Sequence, residues 1–285
     1  MMARRLFITG GTGYLGGALL RLAAGRYELG ASYRSQRPPV SPDIDWAPLD
    51  VRDPQAVRAA LARFRPDLVI HTAFVQYGPD LMAITADGSG HVATAAAAIQ
   101  ARLIHMSSDV IFDGERAGAY TEDDQPDPIS AYGEAKAAAE GLVAAAHPGA
   151  AIVRTSLIYG FDPIDRQTQF ALELAAGRRP DRLFSDEYRC PIYVDDLAAA
   201  LLELAEGDYA GVLNVAGAER VSRYELGSLM VRALGHDPAG IGAGLSAESS
   251  VRRPRNCTLD TRRARGLLRT RLRGLREVLA ERSLL

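Results

Sequence analysis

The chain has 285 residues, 47% apolar and 24% charged, with a formal net charge of −2, a composition that suits a globular protein with a sizeable core. The lack of a basic excess argues against a nucleic-acid or membrane partner, and no run of about 20 apolar residues is present to span a bilayer. Two cysteines, Cys190 and Cys257, are too few for a disulfide framework and sit in no metal-ligand spacing, so no metal site is expected.

Met1 to Arg5 leads straight into strand-like sequence without a signal-peptide pattern, so a cytoplasmic protein with free thiols is expected. Arg5-Leu6-Phe7-Ile8-Thr9 is a short apolar run ending at Gly10-Gly11, as in a buried parallel strand. A helix over 14–25 and a strand over 27–33 follow, then a loop through Pro38, Pro39 and Pro42. A third strand is expected at 45–49, with Trp46 in the core and Asp50 at its end. Asp53 is a candidate cap for a helix that begins at Pro54 and runs to Phe64. Residues 67–71 read as a strand, 81–101 as a long Ala-rich helix, 102–107 as a strand, 130–146 as a helix and 151–154 as a sixth strand. His71 and His105 fall on strands and read as hydrogen-bonded structural residues. This alternation predicts an α/β fold built on a doubly wound parallel sheet.

Beyond Tyr159 the rhythm loosens. Helices are expected at 168–176, 195–205 (capped by Asp195-Asp196) and 222–234, with strands near 182–185 and 212–215. Arg262 to Arg282, interleaved with Leu267, Leu268, Leu272, Leu275 and Leu279, reads as an amphipathic surface helix rather than a nucleic-acid arm.

Gly10, Gly13 and Gly16 stand in Gly10-Gly11-Thr12-Gly13-Tyr14-Leu15-Gly16, directly after the first strand and opening the first helix. Gly10 permits a tight turn, Gly13 lets backbone approach a pyrophosphate, and Gly16 allows the helix to pack close to the sheet. This predicts a dinucleotide-binding Rossmann domain over 1–160 and a smaller substrate-binding lobe over 161–285, partly interleaved with the sheet. An NAD-preferring site carries an acid at the end of the second strand, to hold the ribose 2′-hydroxyl. Here that stretch is Tyr33-Arg34-Ser35-Gln36-Arg37. Arg34, with Ser35 and Arg37 nearby, suits a 2′-phosphate, so NADP(H) is preferred and NAD(H) remains admissible.

Of the 33 basic residues, only Lys136 is a lysine. An all-arginine chain that keeps one lysine points to a place where a compact ammonium is needed. Tyr132 lies four residues earlier, one helical turn away on the same face. A phenol is a poor acid–base catalyst at neutral pH unless a neighbouring ammonium favours its ionised form. Met106-Ser107-Ser108-Asp109 adds hydroxyls at the end of a strand. Tyr132 and Lys136 are therefore candidate catalytic residues, and Lys136 also a candidate ribose ligand.

Together the glycine loop, Ser107-Ser108 and the Tyr132/Lys136 pair resemble the extended short-chain dehydrogenase/reductase family. More narrowly, Ser107 to Gly114, Arg154 to Gly160, Cys190 to Ala198 and Arg253-Pro254-Arg255-Asn256 resemble segments of the dTDP-4-dehydrorhamnose reductase-like subgroup. The similarity runs from about residue 4 to 260. It implies that Tyr132 protonates the new alcohol oxygen, that Lys136 lowers the phenol pKa and holds the nicotinamide ribose, and that Ser108 hydrogen-bonds the substrate carbonyl. It places Asp50 and Val51 at the adenine, and Thr72 and Ala73 near the nicotinamide ribose. Phe74 follows them where relatives often have alanine. Asp109, Arg154, Arg189, Arg253 and Asn256 are candidate substrate contacts, the arginines as a diphosphate grip; Asp109 serves equally as a turn cap, and the arginines as ion-pair partners.

The expected activity is NADPH-dependent reduction of a keto group on a nucleotide-linked deoxysugar. A small nucleotide-sugar substrate is the expected partner, and the resemblance allows a homodimer. Val110, where related dehydratases carry Glu after the Asp, argues against elimination. Thr85 replaces the usual Asn, which puts the family's water relay in doubt, and Ile192 replaces a Thr near the substrate. The 74–82 loop lacks the acidic cluster that would hold magnesium. An epimerase, another carbonyl reductase, or a noncatalytic NADP-binding subunit like the regulatory subunit of methionine adenosyltransferase are the alternatives.

Overall fold

The computed structural model describes residues 3–38 and 41–284; Met1, Met2 and Pro39 of the sequence reading lie outside them. The chain divides into two compact units. The first comprises Met1–Ser108, Ala131–Arg154 and Ala198–Leu213; the second comprises Asp109–Ser130, Thr155–Leu197 and Asn214–Leu285. Residues 109–130 and 155–160 thus group with the second unit, and 198–213 with the first, instead of dividing at residue 160.

The first unit holds β1 (Arg5–Thr9), α1 (Tyr14–Ala23), β2 (Glu28–Tyr33), β3 (Ile44–Pro48), α2 (Pro54–Phe64), β4 (Leu68–His71), α3 (Gly88–Ala98), β5 (Arg102–Met106), α4 (Ala131–Ala146) and β6 (Ala151–Arg154). With β7 (Gly211–Asn214) these strands form, among the described residues, a seven-stranded sheet in the order β7-β6-β5-β4-β1-β2-β3. The pairings from β3 through β6 are parallel, so the expected doubly wound sheet is present.

Phe7, Val69, Leu103 and Ile152 of the sheet pack with Val57, Leu61 and Phe64 of α2, Val92 and Ala96 of α3 and Val143 of α4. The alternate residues Leu6, Ile8, Ile70 and Ile104 are equally buried, as the pleat of a sheet covered on both faces requires. Strand order reverses between β1 and β4, which have β2 and β5 as their outer neighbours. Ligands of open parallel sheets bind beyond the carboxyl ends of the strands at such a switch point.

Local chemistry sets the helix ends. Asp53 Oδ1 accepts from the N–H groups of Gln55 at 2.8 Å and Ala56 at 3.1 Å, with Pro54 at the first helical position, where no N–H is needed. The long helix expected over 81–101 is interrupted by a π-helical turn, Ala83–Asp87, and ends at Ala98.

In the second unit, α5 (Arg166–Ala175) is capped by Asp165. Helix α6 (Val194–Glu206) starts in this unit and has Asp195 and Asp196 inside its first turn, where they favour the helix dipole without being caps. Helix α7 (Arg223–Ala233) opens with a capping box between Ser222 and Glu225. The C-terminal stretch is not the single helix expected. It forms α8 (Arg262–Leu267) and α9 (Leu275–Glu281), separated by a segment that the Arg273 guanidinium ties to Asp196. Leu272, between the two helices, and Leu275, Val278 and Leu279 of α9 are buried, whereas Leu267 of α8 is exposed, so the apolar face comes from α9 and the segment before it. No helix among the described residues is long and apolar enough to cross a membrane.

Candidate active site

The glycine turn is built as a cradle. Gly10 has φ +68°, and its carbonyl accepts from Gly13 N–H at 2.9 Å. A Cβ on Gly16 would stand 2.3 Å from that same carbonyl oxygen, and one on Gly10 would stand 3.0 Å from the Ala73 Cα. Helix α1 therefore approaches the turn as closely as only glycine permits. Its N-terminus has no side-chain cap and no acid in the first turn. These backbone donors fit a pyrophosphate, which needs uncovered N–H groups and no competing carboxylate. Gly16→Ala is expected to destabilise the chain by about 1–3 kcal/mol and to abolish dinucleotide binding, read by thermal unfolding and by titration.

Around this turn, Thr12 and Tyr14 are half-buried, Leu15 is buried, and Arg34 and Ser35 are exposed past the end of β2. Asp50 lies beyond β3, held by Arg52 through its backbone N–H at 3.0 Å and through its guanidinium. That contact holds the carboxyl below its ordinary range. Val51 is 4% exposed, and its Cγ2 would stand 2.6 Å from a Cβ on Gly88. Its side chain thus belongs to the packing on α3 rather than to an adenine surface. Trp46, expected in the core, is half-buried on β3 with its indole against Gly11.

A continuous hydrogen-bond chain fixes the loop after β4. The Thr9 hydroxyl accepts from Thr72 N–H at 3.1 Å and meets His71 Nδ1 at 2.6 Å. His71 Nε2 meets the Ser89 hydroxyl at 3.1 Å, and that hydroxyl donates to the Thr85 carbonyl at 2.7 Å. Since Ser89 gives away its own hydrogen, the bonding pattern assigns His71 the Nε2–H tautomer, with Nδ1 accepting from Thr9. Thr85, the residue that departs from the family's Asn, accepts from Val75 N–H at 3.1 Å and donates to the Val75 carbonyl at 2.9 Å. Sequence reasoning foresaw neither this role nor the π-helical turn that presents the hydroxyl.

His105 corrects an expectation. It is fully buried, and neither ring nitrogen has a hydrogen-bond partner; its contact is with the His71 ring, stacked at 5.4 Å. Burial, with Lys136 nearby, pushes His71 down to about 3 and His105 well below its ordinary value.

Tyr132 and Lys136 lie one turn apart on α4, as predicted. Lys136 is 3% exposed, and its Nζ donates to the Met106 carbonyl at 2.8 Å. The amine therefore sits at the carboxyl end of β5, two residues before the half-buried Ser108. Burial lowers Lys136 to about 8, against the opposing pull of Glu140. The Phe74 ring covers the amine, 5.0 Å from Nζ to the ring centre, and lies 5.8 Å from the Tyr132 ring.

Four of the five candidate substrate contacts are embedded in structural networks. Arg154 is 3% exposed and grips the buried Glu140 through Nε at 3.0 Å and Nη2 at 2.9 Å; it is an internal ion pair, not a diphosphate grip. Glu140, one turn beyond Lys136, is a site neighbour that the sequence reading missed, although its i+4 spacing was the available signal. In the second unit, Arg189 donates to Glu187 at 2.9 Å and to the carbonyls of Tyr188 at 2.7 Å and Pro254 at 3.0 Å. Asn256 donates to the Arg116 carbonyl at 2.7 Å and the Gly118 carbonyl at 3.2 Å, fastening two loops. Asp109, also buried, accepts from the Ser156 hydroxyl at 2.7 Å and has Arg189 Nε at 3.7 Å, besides opening a 3₁₀ turn. Arg253 pairs with Glu187 at 2.8 Å but stays 37% exposed, so of the five it is the most open to a ligand.

With a strand order that reverses beside β1, this is the architecture of an extended short-chain dehydrogenase/reductase. Residues 4–283 match the family described as RmlD substrate binding domain, and the chain belongs to that family. Over 248 residues it is 34% identical to dTDP-4-dehydrorhamnose reductase of Mycolicibacterium smegmatis, covering 84% of this chain and 72% of that protein. Methionine adenosyltransferase 2 subunit beta of Bos taurus is 29% identical over 280 residues, covering 91% of this chain and 81% of that protein. The crystal structure of dTDP-4-dehydrorhamnose reductase from Bacillus anthracis in complex with NADP shares the fold, with a TM-score of 0.82 at 24% identity over 99% of this chain and 98% of that one.

Proposed function

We propose that the chain is an NADP(H)-dependent reductase acting on a keto group of a nucleotide-linked deoxysugar. The observation that carries this reading is Lys136, a buried amine fixed on the Met106 carbonyl one helical turn from Tyr132. A buried ammonium is costly unless its charge is used. Beside a phenol, it stabilises the phenolate that remains after the proton has left.

Bound at the glycine turn, NADPH would supply a hydride to the carbonyl carbon. Tyr132 would deliver its phenolic proton to the carbonyl oxygen, and Ser108 would hydrogen-bond that oxygen. Lys136, besides stabilising the phenolate, would hold the nicotinamide ribose. Arg253 is the remaining candidate for the charged tail of the substrate. The reductase relative from Mycolicibacterium supports the substrate class. The kinship to methionine adenosyltransferase 2 subunit beta supports a second reading, a noncatalytic NADP-binding subunit.

The deciding experiment follows NADPH absorbance with a panel of nucleotide-linked 4-keto sugars. Turnover of at least one supports the reductase. Tight NADPH binding without turnover of any ketone favours the regulatory reading. Coenzyme choice is tested at Arg34, whose guanidinium would pair with the 2′-phosphate. Arg34→Ala is expected to weaken NADPH binding about tenfold while NADH affinity hardly changes. Equal losses for both coenzymes would remove Arg34 from the site.

A further inference from the structure

Lys136 can donate three hydrogen bonds, and the Met106 carbonyl takes one at 2.8 Å. Another side of the ammonium meets the Phe74 ring, whose centre is 5.0 Å from Nζ, within cation–π range. The ring is 49% exposed while the lysine is 3% exposed, so the aromatic group stands over the amine and keeps water from it. The ring cannot retreat with its backbone. Val75 is clamped at both N–H and carbonyl by Thr85, and Thr72 is tied to Thr9 through its N–H at 3.1 Å and its hydroxyl at 2.7 Å. Phe74 therefore sits between two anchored neighbours, and its exposed ring moves by side-chain rotation.

We propose that Phe74 is a specificity-determining residue of the dinucleotide site: its ring caps the Lys136 ammonium and must yield that face to a ribose hydroxyl. The inference rests on the dinucleotide reading above and deepens it. An aromatic face cannot hydrogen-bond a hydroxyl as the ammonium can, so the two compete for one position on Lys136. A ligand that carries the second ribose displaces the ring, whereas one that stops at the pyrophosphate leaves it in place. The contact with the closed ring thus lowers the affinity of the complete dinucleotide by the share of the capped state.

The test is calorimetric titration of wild type, Phe74→Ala and Phe74→Leu with NADPH and with 2′,5′-ADP, which lacks the second ribose. Leucine keeps the apolar bulk without the π face and guards against loosening of the loop by alanine. Both variants are expected to bind NADPH roughly five-fold more tightly and to bind 2′,5′-ADP as wild type does. Unchanged or weaker NADPH binding in both variants would overturn the proposal, the weaker case making Phe74 a fixed stacking platform. Equal tightening for both ligands would overturn it too. Should wild type bind neither ligand, the dinucleotide reading itself fails, a result distinct from any of these.

Discussion

Replacing Tyr132 with phenylalanine is expected to lower kcat for ketone reduction by about 10²–10⁴-fold and to leave NADPH affinity within a factor of about three. Only the phenolic oxygen is lost. The ring beside Phe74 at 5.8 Å is retained, so the packing of α4 is preserved, and Lys136 keeps its bond to the Met106 carbonyl. Replacing Lys136 with methionine is different, because both the charge beside the phenol and the candidate ribose contact disappear; kcat and coenzyme affinity should fall together. The pH profile adds a third reading. Burial lowers Lys136 to about 8, so its ammonium is present below that pH and lost above it. A phenolate without its counter-charge is harder to form, and kcat should decline as pH rises through about 8. Steady-state kinetics with a substrate from the keto-sugar panel measures all three. Wild-type kcat in Tyr132→Phe would end the assignment of the phenol as proton donor.

The sheet and the glycine turn were legible because both are local patterns. A run such as Leu6-Phe7-Ile8 is apolar on both faces of its strand, and glycines spaced three apart impose their turn within seven residues. The Tyr132/Lys136 pair was legible for the same reason: four residues on a helix make one face. Arg154 and Asn256 are held by partners remote in sequence, and Arg189 by remote carbonyls besides its neighbours Glu187 and Tyr188. Glu140 stands 14 residues from Arg154, and the Pro254 carbonyl that accepts from Arg189 is 65 residues away. Nothing near an arginine in sequence distinguishes one buried against a distant carboxylate from one offered to a ligand. Thr85 shows another limit. A substitution that loses the family's Asn reads as a defect, yet its hydroxyl closes on Val75 because the helix widens into a π-turn there. The C-terminal stretch shows a third, since its leucine spacing suits one helix or two, and an ion pair to Asp196 decides between them.

Mild acid is expected to weaken the fold through His71 and His105. Both are buried and held neutral, His71 with a pKa of about 3 and His105 well below its ordinary value, while in the unfolded chain each takes a proton near pH 6.5. As pH falls below 6.5 the unfolded state therefore binds protons that the folded state refuses. Stability must drop, by up to about 1.4 kcal/mol per pH unit for each histidine. Between pH 7 and pH 5 His71 alone should cost about 2 kcal/mol, with His105 acting in the same direction, a sizeable share of a typical domain's total of about 5–15 kcal/mol. Buried carboxylates such as Glu187, held below their ordinary range, lose their contribution only at lower pH, so this window isolates the histidines. The geometry gives the same sign. His71 Nδ1 accepts from Thr9 at 2.6 Å, and a proton there would set two donors against each other and break the chain that ties β1, β4 and the Phe74 loop together. His105 has no acceptor for either nitrogen, so a charge on it would be unsolvated. Urea unfolding at pH 7.0, 6.0 and 5.0 measures the slope, and His105→Leu should make it shallower by removing one of the two refused protons. A flat profile, or a variant as acid-sensitive as wild type, would show that the stacked pair is not what makes the fold yield.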